Sequence, residues 1–251
     1  MNGLDFGWVT LVVSFLAIMV GGVVKGTVGV GLPLVALPIM ASFMPVPQAI
    51  ALLILPAVAT SVWQSFAGGN FLATIKRFWA LLLVIPVGTY WGVRALVVLD
   101  PRIIYIALGL LVSTFAIVQY RRAVLPISPR AESWANPLVG FVAGLVGGIS
   151  MLVGPVLAMY LAALRLPKDV FVASISLVAW YFTALMGLMM SGNQLLSGHD
   201  LIGSTVALVP AFIGLHIGQR IRKRVNEAVF ARCLTIVLLL IGLNLLIKGL
   251  I

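Results

Sequence analysis

Four uninterrupted apolar stretches, Gln48 to Phe66, Phe78 to Val98, Val170 to Met190 and Leu201 to Gln219, constrain this chain more than any motif does. A bilayer core about 30 Å thick takes a helix of about 20 mostly apolar residues, and each stretch meets that length. Two more, Ile103 to Gln119 and Cys233 to Ile247, meet it once their flanks are counted. Hydrophobic residues fill 62% of the 251 positions and charged ones only 9%, so a soluble fold would lack the polar surface to cover its core. The expectation is an all-α, polytopic integral membrane protein. The opening Met1 to Trp8 carries Asp5 and no Lys or Arg, which does not read as a cleavable signal peptide.

A net charge of +10 raises the question of nucleic acid. The basic residues are scattered between apolar runs and make no basic face with interleaved aromatics, so no nucleic-acid partner is expected. Cys233 is the only cysteine, leaving no internal disulfide or thiolate metal cluster; it reads as lipid-facing or packed.

The remaining apolar sequence is interrupted. Val9 to Val24 and Val28 to Ser42 flank the glycine-rich stretch Gly21 to Thr27, and Pro137 to Ile149 and Met151 to Leu164 flank Gly147 to Ser150. At 1.5 Å per residue each piece reaches only about 22–24 Å, so each pair reads as a re-entrant hairpin or as one broken helix. Basic residues choose between these. If both pairs turn back, the loops holding Lys25, Lys76, Arg77, Arg121, Arg122, Arg130, Arg165, Lys168, Arg220, Arg222, Lys223, Arg224 and Arg232 share one side, which takes 13 of the 16 and leaves Arg94, Arg102 and Lys248 opposite. The positive-inside rule favours that arrangement. Both termini then face away from the cytoplasm, in a bacterial-type inner membrane.

The chain also repeats itself. Gly22, Gly26, Pro33 and Pro45 are spaced like Gly144, Gly148, Pro155 and Pro167, at an offset of 122. Gly88, Gly92 and Arg94 read G-x-x-x-G-x-R, as do Gly214, Gly218 and Arg220, at an offset of 126. The division is an N-terminal repeat over 1–119, a linker over 120–136 and a C-terminal repeat over 137–251. With each broken pair counted as one there are about eight helices, or up to ten segments. A half of odd parity returns the second copy from the opposite side, giving two inverted repeats, which in secondary transporters place substrate near the midplane at broken helices.

Irregular backbone at membrane depth survives only where protein or a watery cavity satisfies it, so the two breaks are the candidate site. Helix N-termini near Val28 and Met151 offer amides and a positive dipole end to an anion. Lys25 adds a full charge, and Thr27 and Ser150 are placed to cap the helices or donate to an oxyanion. Gly26, Gly29, Gly31, Gly147, Gly148 and Gly154 line the breaks. The competing roles are close helix packing for Gly22, Gly26, Gly144 and Gly148, and an ordinary loop lysine for Lys25. Trp63 and Gln64 end one long helix, and Tyr181 and Thr183 take nearly matching places, since Ser61 pairs with Thr183 at the offset of 122. Substrate contact is one role for them, an interfacial belt the commoner one for Trp and Tyr. Arg94 and Arg220 are gate candidates or snorkelling arginines, and His216 is a proton-coupling candidate a turn from Arg220.

All six acidic residues, Asp5, Asp100, Glu132, Asp169, Asp200 and Glu227, lie at or outside segment ends, which disfavours a buried carboxylate relay or cation site. No P-loop, metal-ligand set or catalytic triad is present, so no enzyme activity, metal or cofactor is expected.

The segments "GGVVKGTVGVGLPLVALPIM", "MPVPQAIALLI" and "GFVAGLVGGISMLVGPVLAMYLAALRLPKDVFVASISLV" resemble the TauE/SafE family of sulfite and organosulfonate exporters over nearly the whole chain. The resemblance implies gradient-driven export of a small anion such as sulfite or sulfoacetate, with Lys25 to Pro33 and Gly147 to Pro155 lining the pathway. One departure stands out: Gly147 occupies the position that matches Lys25. The expected partners are a small anionic substrate, the bilayer, a coupling proton or sodium ion and a second copy in a homodimer. A passive anion channel and a non-transporting subunit of a membrane complex remain as alternatives.

Overall fold

The structure, a computed structural model, describes residues 8–67, 71–121, 127–193, 196, 198–222 and 227–250. Among these it has twelve helices: α1 Trp8–Val28, α2 Leu32–Ala41, α3 Val46–Ala67, α4 Phe71–Arg77, α5 Trp79–Val98, α6 Pro101–Arg121, α7 Pro129–Ser150, α8 Val153–Ala163, α9 Lys168–Gly192, α10 Gly198–Val206, α11 Leu208–Arg222 and α12 Glu227–Leu250. Seven spans, α1, α3, α5, α6, α7, α9 and α10 with α11 taken together, are long and apolar enough to cross a membrane, and the chain is a polytopic helical membrane protein. The ten expected segments become twelve because α4 precedes α5 as a separate turn and Ala207 interrupts the Leu201 stretch. The Cys233 side chain lies outside the described residues.

Two helices are longer than their sequences imply. α1 runs through Gly21, Gly22 and Gly26 to Val28, and α7 starts at Pro129, inside the expected linker, and runs through Gly144, Gly147 and Gly148. The start of α7 is encoded by Ser128, whose side chain accepts from the Ala131 amide at 3.3 Å, with Pro129 in the first turn, where proline is favoured. At about 31–33 Å each helix matches the bilayer thickness. α2 and α8 have 10 and 11 residues and reach only about half of it. Each folds back on its predecessor. The Leu32 backbone lies against Gly21, while the Tyr160 hydroxyl donates to Asn136 Oδ1 at 2.8 Å and the Ile127 amide to the Ala163 carbonyl at 3.1 Å. The interrupted pairs are therefore hairpins, each a full helix and a half helix.

The glycines explain how the hairpins are held. Gly22 and Gly26 pack on Gly214 and Gly218 of α11, and Gly144 and Gly148 pack on Gly88 and Gly92 of α5. Each glycine pair of one half thus meets the other pair type of the other half, with the helices parallel. In contrast, α3 and α9 run antiparallel, with Gln64 near Ser176 and Ile54 near Gly187. α6 and α12 do the same, with Gly109 near Leu246 and Arg102 near Gly249. Following these contacts around the bundle, the α1–α2 hairpin opens toward the face where Lys248 donates to the Ala41 carbonyl at 2.6 Å. The α7–α8 hairpin opens toward the opposite face, where Arg77 makes a paired hydrogen bond with Glu132 at 2.7 and 2.9 Å. That carboxylate holds the Arg77 guanidinium above its ordinary pKa. The two tips meet inside.

Pro56 within α3 cannot donate to the Leu52 carbonyl, and in lipid no water replaces the lost bond. Buried Ser204 of α10 supplies it: its hydroxyl donates to that carbonyl at 3.0 Å and accepts from the Leu55 amide at 3.1 Å. Ser204→Ala should therefore cost about 1–3 kcal/mol, read as a lower melting temperature of detergent-purified protein; an unchanged melt would mean that the proline kink needs no partner.

Candidate functional site

The backbone breaks come later than the glycine runs. The first is at Gly29–Gly31, where Gly29 has φ 92° and Gly31 φ 131°, conformations that residues with a Cβ rarely take. The second is at Met151 and Leu152, with Met151 at φ 58°. They correspond at the offset of 122: the Gly29 amide donates to the Lys25 carbonyl at 2.8 Å, and the Met151 amide to the Gly147 carbonyl at 2.5 Å. Gly21 to Gly26 and Gly144 to Gly148 lie inside helices because a glycine-lined helix packed on another loses less than one facing lipid.

Between the tips is a cavity of about 30 Å³ lined by Lys25, Gly29, Gly31, Ser61, Gly154 and Thr183, among others. That is the volume of about one water, too small for a polyatomic anion. Leu34, Val153 and Gly154 add lining from the first turns of α2 and α8, whose leading amides have no acceptor within their own helix. The dipoles, however, do not simply add. Each tip sets the C-terminus of a long helix beside the N-terminus of a short one, so opposite partial charges adjoin.

Lys25 is the ionisable group of the site. It is 4% exposed, and its ammonium donates to the Ser61 hydroxyl. Among the described residues no carboxylate is within ion-pair distance of Lys25. Gln64 fixes the backbone from which Lys25 projects: its amide donates to the Lys25 carbonyl at 3.2 Å, and its oxygen accepts from the Ser176 hydroxyl at 3.5 Å. One glutamine therefore ties α1, α3 and α9 together. Ser61 and Ser176 were not singled out from the sequence; the repeat offset, which pairs Ser61 with Thr183, was the available signal.

Other expected site residues sit elsewhere. Thr27 donates back to the Val23 and Val24 carbonyls at 3.1 and 2.8 Å, so it caps no helix. Ser150 donates to the Val146 carbonyl at 2.6 Å while accepting from the Leu152 amide at 3.2 Å, which stitches the second break. Gly26 and Gly148 are packing positions, and Gly147 faces the Phe182 ring. Trp63 is 56% exposed on the outside of the bundle; one residue from buried Gln64, it is turned 100° away on the helix. Tyr181 stacks edge-on with Trp180 and lines an open surface groove. Arg94 lies over the Tyr90 ring at 5.1 Å, and Arg94, His216 and Arg220 are exposed because the faces of α5 and α11 that turn inward are the glycine faces. Trp63, Tyr181, Arg94, His216 and Arg220 do not line the cavity. Trp63→Ala should leave transport within about two-fold of the parent while Gln64→Ala lowers it by about ten-fold, a hydrogen-bond loss of roughly 1.4 kcal/mol; the reverse order in a liposome flux assay would relocate the site.

The family profile described as sulfite exporter TauE/SafE matches residues 14–245, which takes in both hairpins, both breaks and Lys25. The chain belongs to the TauE/SafE family. Comparison with curated proteins and with solved structures gives no match. As a TauE/SafE protein it is a membrane transporter of the sulfite-exporter type, and the cavity between its hairpin tips is the place in its fold where a charged group and irregular backbone coincide.

Proposed function

We propose that the protein exports a small sulfur-containing anion, such as sulfite or an organosulfonate, by alternating access at the two hairpin tips. The observation that carries this reading is Lys25: a lysine amine buried at the meeting point of two broken helices, with no carboxylate in ion-pair range among the described residues. Burying such a charge costs several kcal/mol unless a counter-ion comes to it, and an anionic substrate is that counter-ion. The cavity is too small for sulfite as it stands, so loading requires the tips to part toward one face at a time. The antiparallel α3–α9 and α6–α12 pairs support an inverted repeat, because equivalent helices run antiparallel only when the halves are inverted.

Lys76, Arg77, Arg130, Arg165 and Arg220 gather at the face where α7–α8 opens, against Arg94, Arg102 and Lys248 at the other. By the positive-inside rule that imbalance supports a cytoplasmic α7–α8 face, with the α1–α2 hairpin opening outward. A proton or sodium gradient is the proposed drive, and the membrane a bacterial-type inner one.

The test is a thermal-shift screen of purified protein against sulfite, sulfate, sulfoacetate, taurine and short carboxylates, followed by flux of any hit in liposomes. Stabilisation by cations or neutral solutes and by no anion would sink the reading. Flux that neither saturates nor responds to a gradient would make the protein a channel.

A further inference from the structure

The site is charged on one side only, and the reason is visible in the second half. The position equivalent to Lys25 is Gly147, and a side chain there has no room: a methyl group placed on it would lie 2.7 Å from Phe182 Cζ and 2.9 Å from its Cε2. Phe182 is fully buried. At the same offset its counterpart is Thr60, a small side chain whose hydroxyl turns back to the Pro56 carbonyl at 2.5 Å. The first half therefore leaves space beside α3 for a lysine stem, and the second half fills the equivalent space with a ring.

The rest of the electrostatic inventory adds no second unit charge. Ser61 and Thr183, the equivalent pair facing the cavity, are neutral donors. Thr183 donates to the Ala179 carbonyl at 2.7 Å, while Ser61 receives Lys25. The helix ends at each tip adjoin with opposite sign. Among the described lining residues, Lys25 is the only one whose side chain can carry a full charge.

From this one-sided arrangement we infer that the site selects anions of single negative charge, hydrogensulfite or a simple monosulfonate, over dianions such as sulfite, sulfate or sulfoacetate. A monoanion beside a protonated Lys25 leaves the cavity neutral. A dianion would carry an uncompensated charge into a water-excluding space, where its desolvation is not offset. The inference rests on the anion reading above and sharpens it to a charge class.

The experiment uses methanesulfonate, a permanent monoanion, and sulfate, a dianion of similar tetrahedral shape, with the full-length protein in detergent. Methanesulfonate should bind at least about ten-fold tighter than sulfate, by thermal shift or calorimetric titration. Sulfate binding as tightly as methanesulfonate, or tighter, overturns the inference and leaves the anion reading intact. Binding of neither, alongside binding of a neutral or cationic solute, overturns the anion reading itself. A second arm rebuilds the first half's arrangement in the second: Gly147→Lys combined with Phe182→Thr should raise sulfate affinity relative to methanesulfonate. A folded double variant with the parent's preference counts against single-charge selection by the lone lysine. The parent comparison decides the matter even if that variant does not fold.

Discussion

Lys25→Met is expected to lower anion binding and transport by about 10- to 100-fold, the loss of one charge-assisted hydrogen bond of roughly 1.5–3 kcal/mol. The same substitution should leave the melting temperature unchanged or raise it, since it removes a buried amine that has no carboxylate partner among the described residues. The two effects have opposite signs, which separates this outcome from a general loss of folding. The measurement pairs liposome flux with a thermal melt of the same preparation. A variant that transports normally, or that melts far below the parent, would show that Lys25 holds structure and does not meet substrate. Lys25→Arg should recover part of the binding, with the larger guanidinium disturbing Ser61.

Gly26→Val and Gly148→Val should be the most damaging substitutions to stability. A methyl group on Gly26 would lie 2.9 Å from Gly218 Cα and from the Gln219 nitrogen, and one on Gly148 would lie 2.8 Å from Gly92 Cα. These are backbone atoms, with no rotamer to move aside, so the helices must separate. Overpacking of this kind costs about 1–3 kcal/mol or more, seen as aggregation on size-exclusion chromatography or a sharp fall in melting temperature. Gly192→Ala is the control, because nothing lies within 4 Å of its added carbon. Equal melts for all three would mean that the glycine contacts bear no strain.

The repeated spacing of Gly22 and Gly26, and of Gly214 and Gly218, was legible as a pattern and as small-residue packing. That the two patterns are each other's partners was not, because spacing along one helix names no neighbour. The breaks were legible to within a few residues. Glycine runs mark where a helix tolerates close approach, whereas a break needs a positive φ, which Gly29 and Gly31 take and which Met151 takes without the sequence announcing it. Lys25 and Gln64 were visible as polar residues in apolar runs. Ser61 and Ser176 were not chosen, since serine in a membrane helix ordinarily bonds its own backbone and only the fold brings Lys25 and Gln64 to them. Trp63, Arg94, His216 and Arg220 show the converse: helix position placed them near the site in sequence, and their azimuth turned them outward.

The crossed pairing of α1 with α11 and of α7 with α5 also has a history in time. At a synthesis rate of about 5–20 residues per second, Gly218 leaves the ribosome roughly 10–40 s after Gly26. During that interval the glycine face of α1 has no permanent partner, and Lys25 stands in a half-built protein before Thr183 and the second hairpin exist. The newborn first half must therefore persist in the bilayer as an unfinished surface, sheltered by lipid or by the insertion machinery, until the last third of the chain arrives to close it.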